Sequence, residues 1–173
     1  MAAPFVTAYR AGHAAGKTVY DSTGKGAMVR ESTWGGCTRR ALNARTRASE
    51  ADRGAWVQGC LDGVANEPTA PPTATVTHRE ENTGLLRSFR AWADAHEWRE
   101  SGRHATKLTT VRLTARDYDI ELVTDYGPDN REAAQELARH FVTWWDGGHG
   151  ADGIARNVLV MGGDGTRLLH RRI

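Results

Sequence analysis

Residues 11–18 are Ala-Gly-His-Ala-Ala-Gly-Lys-Thr, a relaxed form of the Walker A phosphate-binding pattern in which Ala replaces the first Gly. Such a loop needs a buried strand before it and a helix that begins at the lysine. Backbone amides can then surround a phosphate while the hydroxyl holds magnesium. Residues 4–10 make a poor buried strand, and residues 19–26 make a poor helix. The small residues at three- and four-residue spacings instead predict a helix from Val6 to about Tyr20.

A second pattern with possible chemistry is Val-Leu-Val-Met-Gly-Gly-Asp-Gly-Thr at residues 158–166. This segment alone resembles the strand and Gly-Gly-Asp-Gly-Thr motif of the NAD kinase and diacylglycerol kinase families. In those families the glycines admit nucleotide phosphates, so the resemblance implies a phosphoryl-transfer site near Asp164. A β-hairpin explains the same residues, with strands at 158–161 and 166–170 and a Gly-Gly-Asp-Gly turn between them. We predict the hairpin and no kinase activity.

The other polar residues form no recognisable catalytic or metal-binding pattern. The seven histidines lack the close spacing of metal ligands, and no Gly-x-Ser-x-Gly or Cys-His arrangement supplies a nucleophile. We predict no cofactor and no metal, and we leave catalytic residues unassigned. An enzyme whose active site is dispersed along the sequence stays open as an alternative.

The two cysteines, Cys37 and Cys60, are too few for a disulfide framework or a metal site. On one continuous helix they would lie about 35 Å apart, at about 1.5 Å of rise per residue. We therefore predict reduced thiols and a cytoplasmic location. The N-terminal residues lack a basic leader with a long apolar stretch, so export is not expected. No apolar run approaches the roughly 18 residues of a membrane span.

Charge and proline divide the chain into unlike parts. Residues 1–66 carry nine Lys/Arg and five Asp/Glu, a net charge of +4, whereas residues 67–173 carry fourteen and sixteen, a net charge of −2. Residues 67–81 hold three of the five prolines with several threonines, and predict a stiff, extended linker. We predict a helical hairpin over 1–66, the linker over 67–81 and an α+β domain over 82–173.

The predicted hairpin joins the first helix to a longer one over residues 38–65. Small residues recur along this second helix in steps of three and four: Ala41, Ala44, Ala48, Ala51 and Ala55. An alanine seam lets two helix axes approach closely, and the Ala/Gly face of the first helix is the expected partner. Because a buried Ala methyl contributes less than the roughly 1.5–3 kcal/mol of a Leu or Phe, the hairpin core is thin. A partner protein or self-association at this seam is a hypothesis, beside an ordinary hairpin within one chain.

The C-terminal domain alternates helices and hairpins. A helix capped by Asn82 or Thr83 precedes strands at 108–114 and 119–124; a helix from Asp129 to Gly147 precedes the final hairpin. We predict a two-layer α+β sandwich with two helices on one face of a four-stranded antiparallel sheet. The second helix would bury Ala134, Leu137, Ala138, Phe141 and Trp145. Adjacent Trp144 and Trp145 cannot both face one narrow stripe, so one of them should be at least partly exposed.

Three functional hypotheses follow from these features. The first is a non-catalytic adaptor that binds protein through the alanine seam and the spare tryptophan. The second is a nucleic-acid accessory protein, and the third is a small enzyme. The candidate binding residues, for protein or nucleic acid, are Arg39, Arg40, Arg45, Arg47, Trp144 and Trp145. Strong salt dependence of binding would favour nucleic acid, because phosphate contacts release counterions.

Overall fold

The chain folds as two compact units. The computed structural model describes residues 1–146 and 153–173; Gly147, the predicted end of the second helix of the C-terminal domain, and His149, one of the seven histidines, lie outside them. Unit 1 comprises Met1–His78 with Arg112–Ala115, and unit 2 comprises Arg79–Val111 with Arg116–Ile173. None of the helices in the described ranges is both long and apolar enough to cross a membrane.

Unit 1 is helical. Its α-helices are α1 (Pro4–Thr23), α2 (Gly36–Ala44), α3 (Arg47–Ala51) and α4 (Arg53–Val64). A 3₁₀ turn at Gly24–Gly26 and a π-helical turn at Val29–Thr33 connect α1 to α2. Helix α1 runs without a break through the Walker-like residues 11–18, so the predicted helix is confirmed and these residues form no phosphate-binding loop.

The single helix predicted over residues 38–65 is wrong, because local hydrogen bonds divide it into α2, α3 and α4. Arg45 ends α2 in the left-handed region at φ 48°. Thr46 then begins α3 with a capping box, in which its hydroxyl and that of Ser49 each accept the other residue's backbone N–H. Asp52 begins α4 by accepting the backbone N–H of Ala55. Ser, Thr and Asp favour such caps over helix interiors because their short side chains bind nearby backbone groups.

Helices α1 and α4 pack backbone to backbone through glycines. Gly12 and Gly16 of α1 face the carbonyl groups of Trp56 and Cys60, at 1.9 and 2.1 Å from the position a Cβ would occupy. From the other side, Gly59 of α4 faces the Tyr9 carbonyl oxygen at 2.0 Å from such a Cβ. The first helix is thus the partner of α4, as predicted, and its closest contacts are made at glycines.

The prediction of reduced cysteines is also wrong. Cys37 on α2 and Cys60 on α4 form a disulfide, with their Cα atoms 5.9 Å apart. The expected separation of the cysteines applies only to one continuous helix. The breaks at Arg45 and Asp52 let the chain reverse between the two cysteines. The inference of a reducing cytoplasmic environment therefore loses its basis, since structural disulfides persist mainly in oxidising compartments.

The Pro/Thr-rich segment is held against unit 1 at both of its ends. The Tyr9 hydroxyl donates to Asp62 at 2.5 Å and accepts the backbone N–H of Ala70 at 3.0 Å. Near the other end, Asp52 accepts the backbone N–H groups of Val76 and Thr77 at 2.9 and 3.0 Å. Residues 67–77 thus form neither helix nor strand and are hydrogen-bonded to α1 and to the start of α4.

Unit 2 combines a five-stranded sheet with helices. Its elements are β1 (His78–Glu81), α5 (Thr83–Ala95), α6 (Arg99–His104), β2 (Ala105–Arg112), β3 (Asp117–Thr124), α7 (Arg131–Trp145), β4 (Ile154–Met161) and β5 (Arg167–Arg172). The strand order is β1-β2-β3-β4-β5. The α+β class is confirmed, with two differences from prediction: β1 adds a fifth strand, and β3 pairs with β4 in parallel.

The core of unit 2 lies between the sheet and helices α5 and α7. Phe89 of α5 packs edge-on against Phe141 of α7 and close to Trp144. Trp144 is buried, whereas Trp145 is partly buried and packs against Phe141 and Tyr118. One tryptophan of the pair is therefore partly exposed, as predicted, but Trp144 rather than Trp145 lies in the fully buried stripe.

The Gly-Gly-Asp-Gly segment forms the predicted hairpin turn between β4 and β5, which pair antiparallel. Gly165 has φ +85°, which few residues other than glycine adopt without strain. Asp164 accepts hydrogen bonds from the hydroxyl and the backbone N–H of Thr166, and these bonds lower its pKa. The carboxylate is thus used to shape the turn.

Candidate functional site

The most exposed large apolar side chains in the interior of the described sequence are those of Val29 and Trp34. Trp34 is 61% exposed and Val29 is 55% exposed. The backbone N–H of Trp34 donates to the carbonyl oxygen of Val29 at 3.2 Å and closes the π-helical turn. The two side chains therefore lie one turn apart, and we call them the Val29–Trp34 surface. Single π-helical turns are often found at functional sites.

A buried carboxylate fixes the turn that carries this surface. Glu31, between the two exposed residues in sequence, is 1% exposed. Arg40 of α2 donates to it twice, from Nε to Oε2 at 3.0 Å and from Nη2 to Oε1 at 3.0 Å, and Arg30 adds a bond of 3.1 Å. Such two-pronged arginine–carboxylate pairs are geometrically specific. The π-helical turn is thus fastened to α2.

The electrostatics of this carboxylate follow from the same contacts. Burial alone would raise the pKa of Glu31, but hydrogen bonds and charge from Arg40 and Arg30 outweigh it and lower the pKa. The hydrogen bond to Glu31 in turn raises the pKa of Arg40. Glu31 is therefore ionised at neutral pH, and its ion pair with Arg40 holds the turn against α2.

Three further features hold the segment that follows Trp34. Gly35 adopts φ +71° before α2 begins, and its carbonyl oxygen accepts the Thr38 hydroxyl at 2.7 Å. Gly36 has no room for a side chain, since a Cβ there would lie 2.3 Å from a carboxylate oxygen of Glu31. The disulfide at Cys37 then joins this end of α2 to α4. The backbone on both sides of Trp34 is therefore constrained.

Glu31, Cys37 and Cys60 also form the one group of three potential metal ligands found close together among residues 1–146 and 153–173. Their ligand atoms lie within 4.8 Å of one another and all three residues are buried. A thiolate, not a disulfide sulfur, is the ligand that metals take from cysteine. The two sulfurs are bonded to each other and join α2 to α4, and the carboxylate pairs with two arginines. These three residues therefore have a structural role.

The predicted arginine residues all lie in unit 1 but do not form one helical face. Arg39 is exposed on α2, Arg45 is exposed between α2 and α3, and Arg47 is exposed at the start of α3. Arg40 is half-buried against Glu31. Residues 25–47 contain six Lys/Arg and one Asp/Glu, a net charge of +5, so the segment around Trp34 is strongly basic.

The predicted tryptophans lie in unit 2, where Trp144 is a core residue and Trp145 covers Phe141 and Tyr118. Trp34 was not among the predicted site residues. A signal was present, because Trp34 stands between Ser32-Thr33 and Gly35-Gly36, a polar and glycine-rich setting that is unusual for a large aromatic ring. Comparison with protein-family models, curated proteins and solved structures finds no match to this chain.

Proposed function

We propose that the protein is a non-catalytic binding protein that presents the Val29–Trp34 surface of unit 1 to a partner protein. The observation that carries this proposal is a tryptophan 61% exposed on a backbone fixed by a buried ion pair and a neighbouring disulfide. Tryptophan is among the residues most enriched at the energetic centres of interfaces.

The fixed backbone matters for the energy of association. Ordering a mobile loop on binding costs free energy, about 0.5–1.5 kcal/mol for each immobilised side chain of many rotamers. Here the turn is ordered before any partner arrives, because Glu31 and Cys37 hold it. The basic segment around Trp34 favours a partner groove that is apolar at its centre and acidic at its rim.

The test uses site-specific photo-crosslinking in cells that express the protein. A benzophenone amino acid replaces Trp34 in one variant and exposed Arg10 of α1 in a matched control. We expect one dominant protein adduct from position 34, competed by unlabelled wild-type protein and not by Trp34→Ser. Equal adducts from positions 34 and 10, or equal competition by both proteins, would contradict the proposal. Sedimentation over a range of concentrations shows whether the partner is a second copy of the chain.

A second candidate function is favoured by a separate observation, the exposure of Arg39, Arg45 and Arg47 near an exposed aromatic ring. Aromatic rings that stack on bases and arginines that contact phosphates are the usual components of single-stranded nucleic-acid sites. Fluorescence anisotropy with labelled single- and double-stranded DNA at two salt concentrations tests this candidate. Binding that weakens steeply with salt, and that Arg39→Ala/Arg47→Ala abolishes but Arg10→Ala does not, would place nucleic acid ahead of protein.

A further inference from the structure

Unit 2 contains a cavity of about 340 Å³ between α6, α7 and the residues that follow β3. Its lining includes Glu100, Ser101, His104, Asp125, Tyr126 and Glu136. Asp125 and Tyr126 directly follow β3, whose parallel neighbour is β4. Ligands of open α/β sheets bind beyond the carboxyl ends of parallel strands, and the cavity is at that edge. Its volume is at the lower end of the range of small-molecule sites.

The Tyr126 phenol is the most unusual group in this cavity. The residue is only 7% exposed and lines the cavity, and no hydrogen bond joins its hydroxyl to another side chain or backbone group within residues 1–146 and 153–173. Burial, together with the negative charges of Asp125, Glu136 and Glu100, raises the pKa of Tyr126. The phenol therefore stays protonated at neutral pH.

The backbone around Tyr126 is well supported. The Thr124 hydroxyl donates to the Met161 carbonyl oxygen at 2.7 Å and accepts the Tyr126 N–H at 3.2 Å. The backbone N–H of Gly163, just after β4, donates to the Tyr126 carbonyl oxygen at 2.9 Å. The loops that follow β3 and β4 are thus tied together, and the phenol is held in place before any ligand binds.

Acidic groups dominate the charge that faces this cavity. Asp125 pairs with His104, whose Nδ1 lies 2.6 Å from Asp125 Oδ1. The Glu100 and Glu136 carboxylates have ion-pair partners, Arg103 at 3.4 Å and Arg139 at 3.3 Å, but neither arginine lines the cavity. The cavity wall itself therefore presents three carboxylates and one imidazole.

We propose that this cavity is a binding site for a small organic cation, a primary amine or a guanidinium compound. The N–H groups of such a ligand would donate to the carboxylates of Asp125, Glu100 and Glu136, and the Tyr126 hydroxyl oxygen would accept a further hydrogen bond from it. Charge-assisted hydrogen bonds of this kind are about twice as strong as neutral ones. The rings of His104 and Tyr126, whose centroids are 4.8 Å apart, supply aromatic surface beside the cation. An anionic ligand would meet three like charges.

The experiment compares three ligands of nearly equal shape: benzylamine, benzyl alcohol and benzoate. NMR titration of the full chain at pH 7 follows the ring resonances of Tyr126 and His104. We expect benzylamine to shift both sets of resonances in a saturable way, and the alcohol and the carboxylate to leave them unchanged. Equal binding of benzyl alcohol or benzoate would overturn the proposal, as would the absence of any shift at the highest soluble concentration of benzylamine.

Matched variants locate the site. Glu100→Gln and Tyr126→Phe each remove one recognition group while keeping its shape, and each should weaken benzylamine binding by about tenfold. Glu132→Gln removes the same charge from α7 outside the cavity and should change affinity by less than about twofold. Circular dichroism of each variant checks that it is folded. Equal weakening by Glu100→Gln and Glu132→Gln would show a general charge effect and overturn the site.

Discussion

The contact between α1 and α4 leads to a sharp prediction about Gly12. An alanine at this position would place its Cβ 1.9 Å from the carbonyl oxygen of Trp56. The obstacle is the backbone of a helix, so no change of rotamer relieves the clash and the two helices must separate. The same reasoning applies from α4, where a Cβ at Gly59 would lie 2.0 Å from the Tyr9 carbonyl oxygen.

The magnitude follows from the distance the helices must move. Ordinary contact begins at 3.4 Å, so relief of the 1.9 Å clash at Gly12 requires a separation of 1.5 Å. A gap of about 0.5–1 Å already forfeits a quarter to a half of the dispersion attraction. Overpacking on this scale costs about 3 kcal/mol, and the better helix propensity of Ala returns about 1 kcal/mol. We expect Gly12→Ala to lower the free energy of unfolding of unit 1 by about 2 kcal/mol.

Gly26 provides the control, because no atom lies within 4 Å of the position its Cβ would occupy. Gly26→Ala should be neutral or stabilising by about 0.5 kcal/mol. Thermal unfolding should show Gly12→Ala melting roughly 8–16 °C lower, at about 4–8 °C per kcal/mol for a domain of this size. Hydrogen exchange followed by mass spectrometry should localise the loss to the amides of α1 and α4. Equal melting temperatures and exchange in the two variants would refute the close-packing argument.

Three further predictions concern other contacts. Asp52→Asn should lower the free energy of unfolding in urea at pH 7 by about 2 kcal/mol. Burial raises the pKa of Asp52, but its hydrogen bonds, led by that from Thr77, outweigh burial and lower the pKa. The stabilisation from this carboxylate is therefore complete above about pH 4 and disappears as pH falls further. Cys37→Ser/Cys60→Ser should cost about 3.5 kcal/mol by loop entropy, and the intact protein should show no iodoacetamide-reactive thiol before reduction. Burial lowers the His140 pKa, so the unfolded chain takes up this proton first and stability should fall below about pH 6.5; His140→Gln should flatten that part of the profile.

The two long helices and the two pairs of strands predicted in unit 2 could be recognised from sequence because each carries its own signal, whereas β1 and α6 were not predicted. Asn82 begins α5 by accepting the backbone N–H of Leu85, the kind of cap that sequence recognises readily. The Gly-Gly-Asp-Gly turn likewise has local chemistry that selects a hairpin. The parallel pairing of β3 with β4 has no such signal, because it depends on where α7 places the second hairpin. Local residues therefore predict these helices and strands, whereas the pairing of β3 with β4 depends on the tertiary structure.

In unit 1 the regular alanine spacing concealed the helix ends. Small residues every three or four positions favoured one helix over 38–65, yet Thr46, Ser49 and Asp52 interrupt that stretch with side chains that cap helices. Asp52 in addition accepts hydrogen bonds from Val76 and Thr77, about 25 residues further along the chain. Such distant bonds cannot be read from periodicity. The missed break then led directly to the missed disulfide.

The exposed Trp34 lies on a backbone that neighbouring contacts hold in place. A tryptophan on a mobile turn would lose both backbone and side-chain freedom when a partner bound, and much of its contact energy would be lost to that ordering. In this protein the neighbouring Glu31 is buried as a charged group, an arrangement that folding tolerates only with well-aligned partners such as Arg40. The disulfide one turn further along is a second constraint on the same segment. A tryptophan that is 61% exposed on so constrained a backbone favours a binding role over incidental exposure.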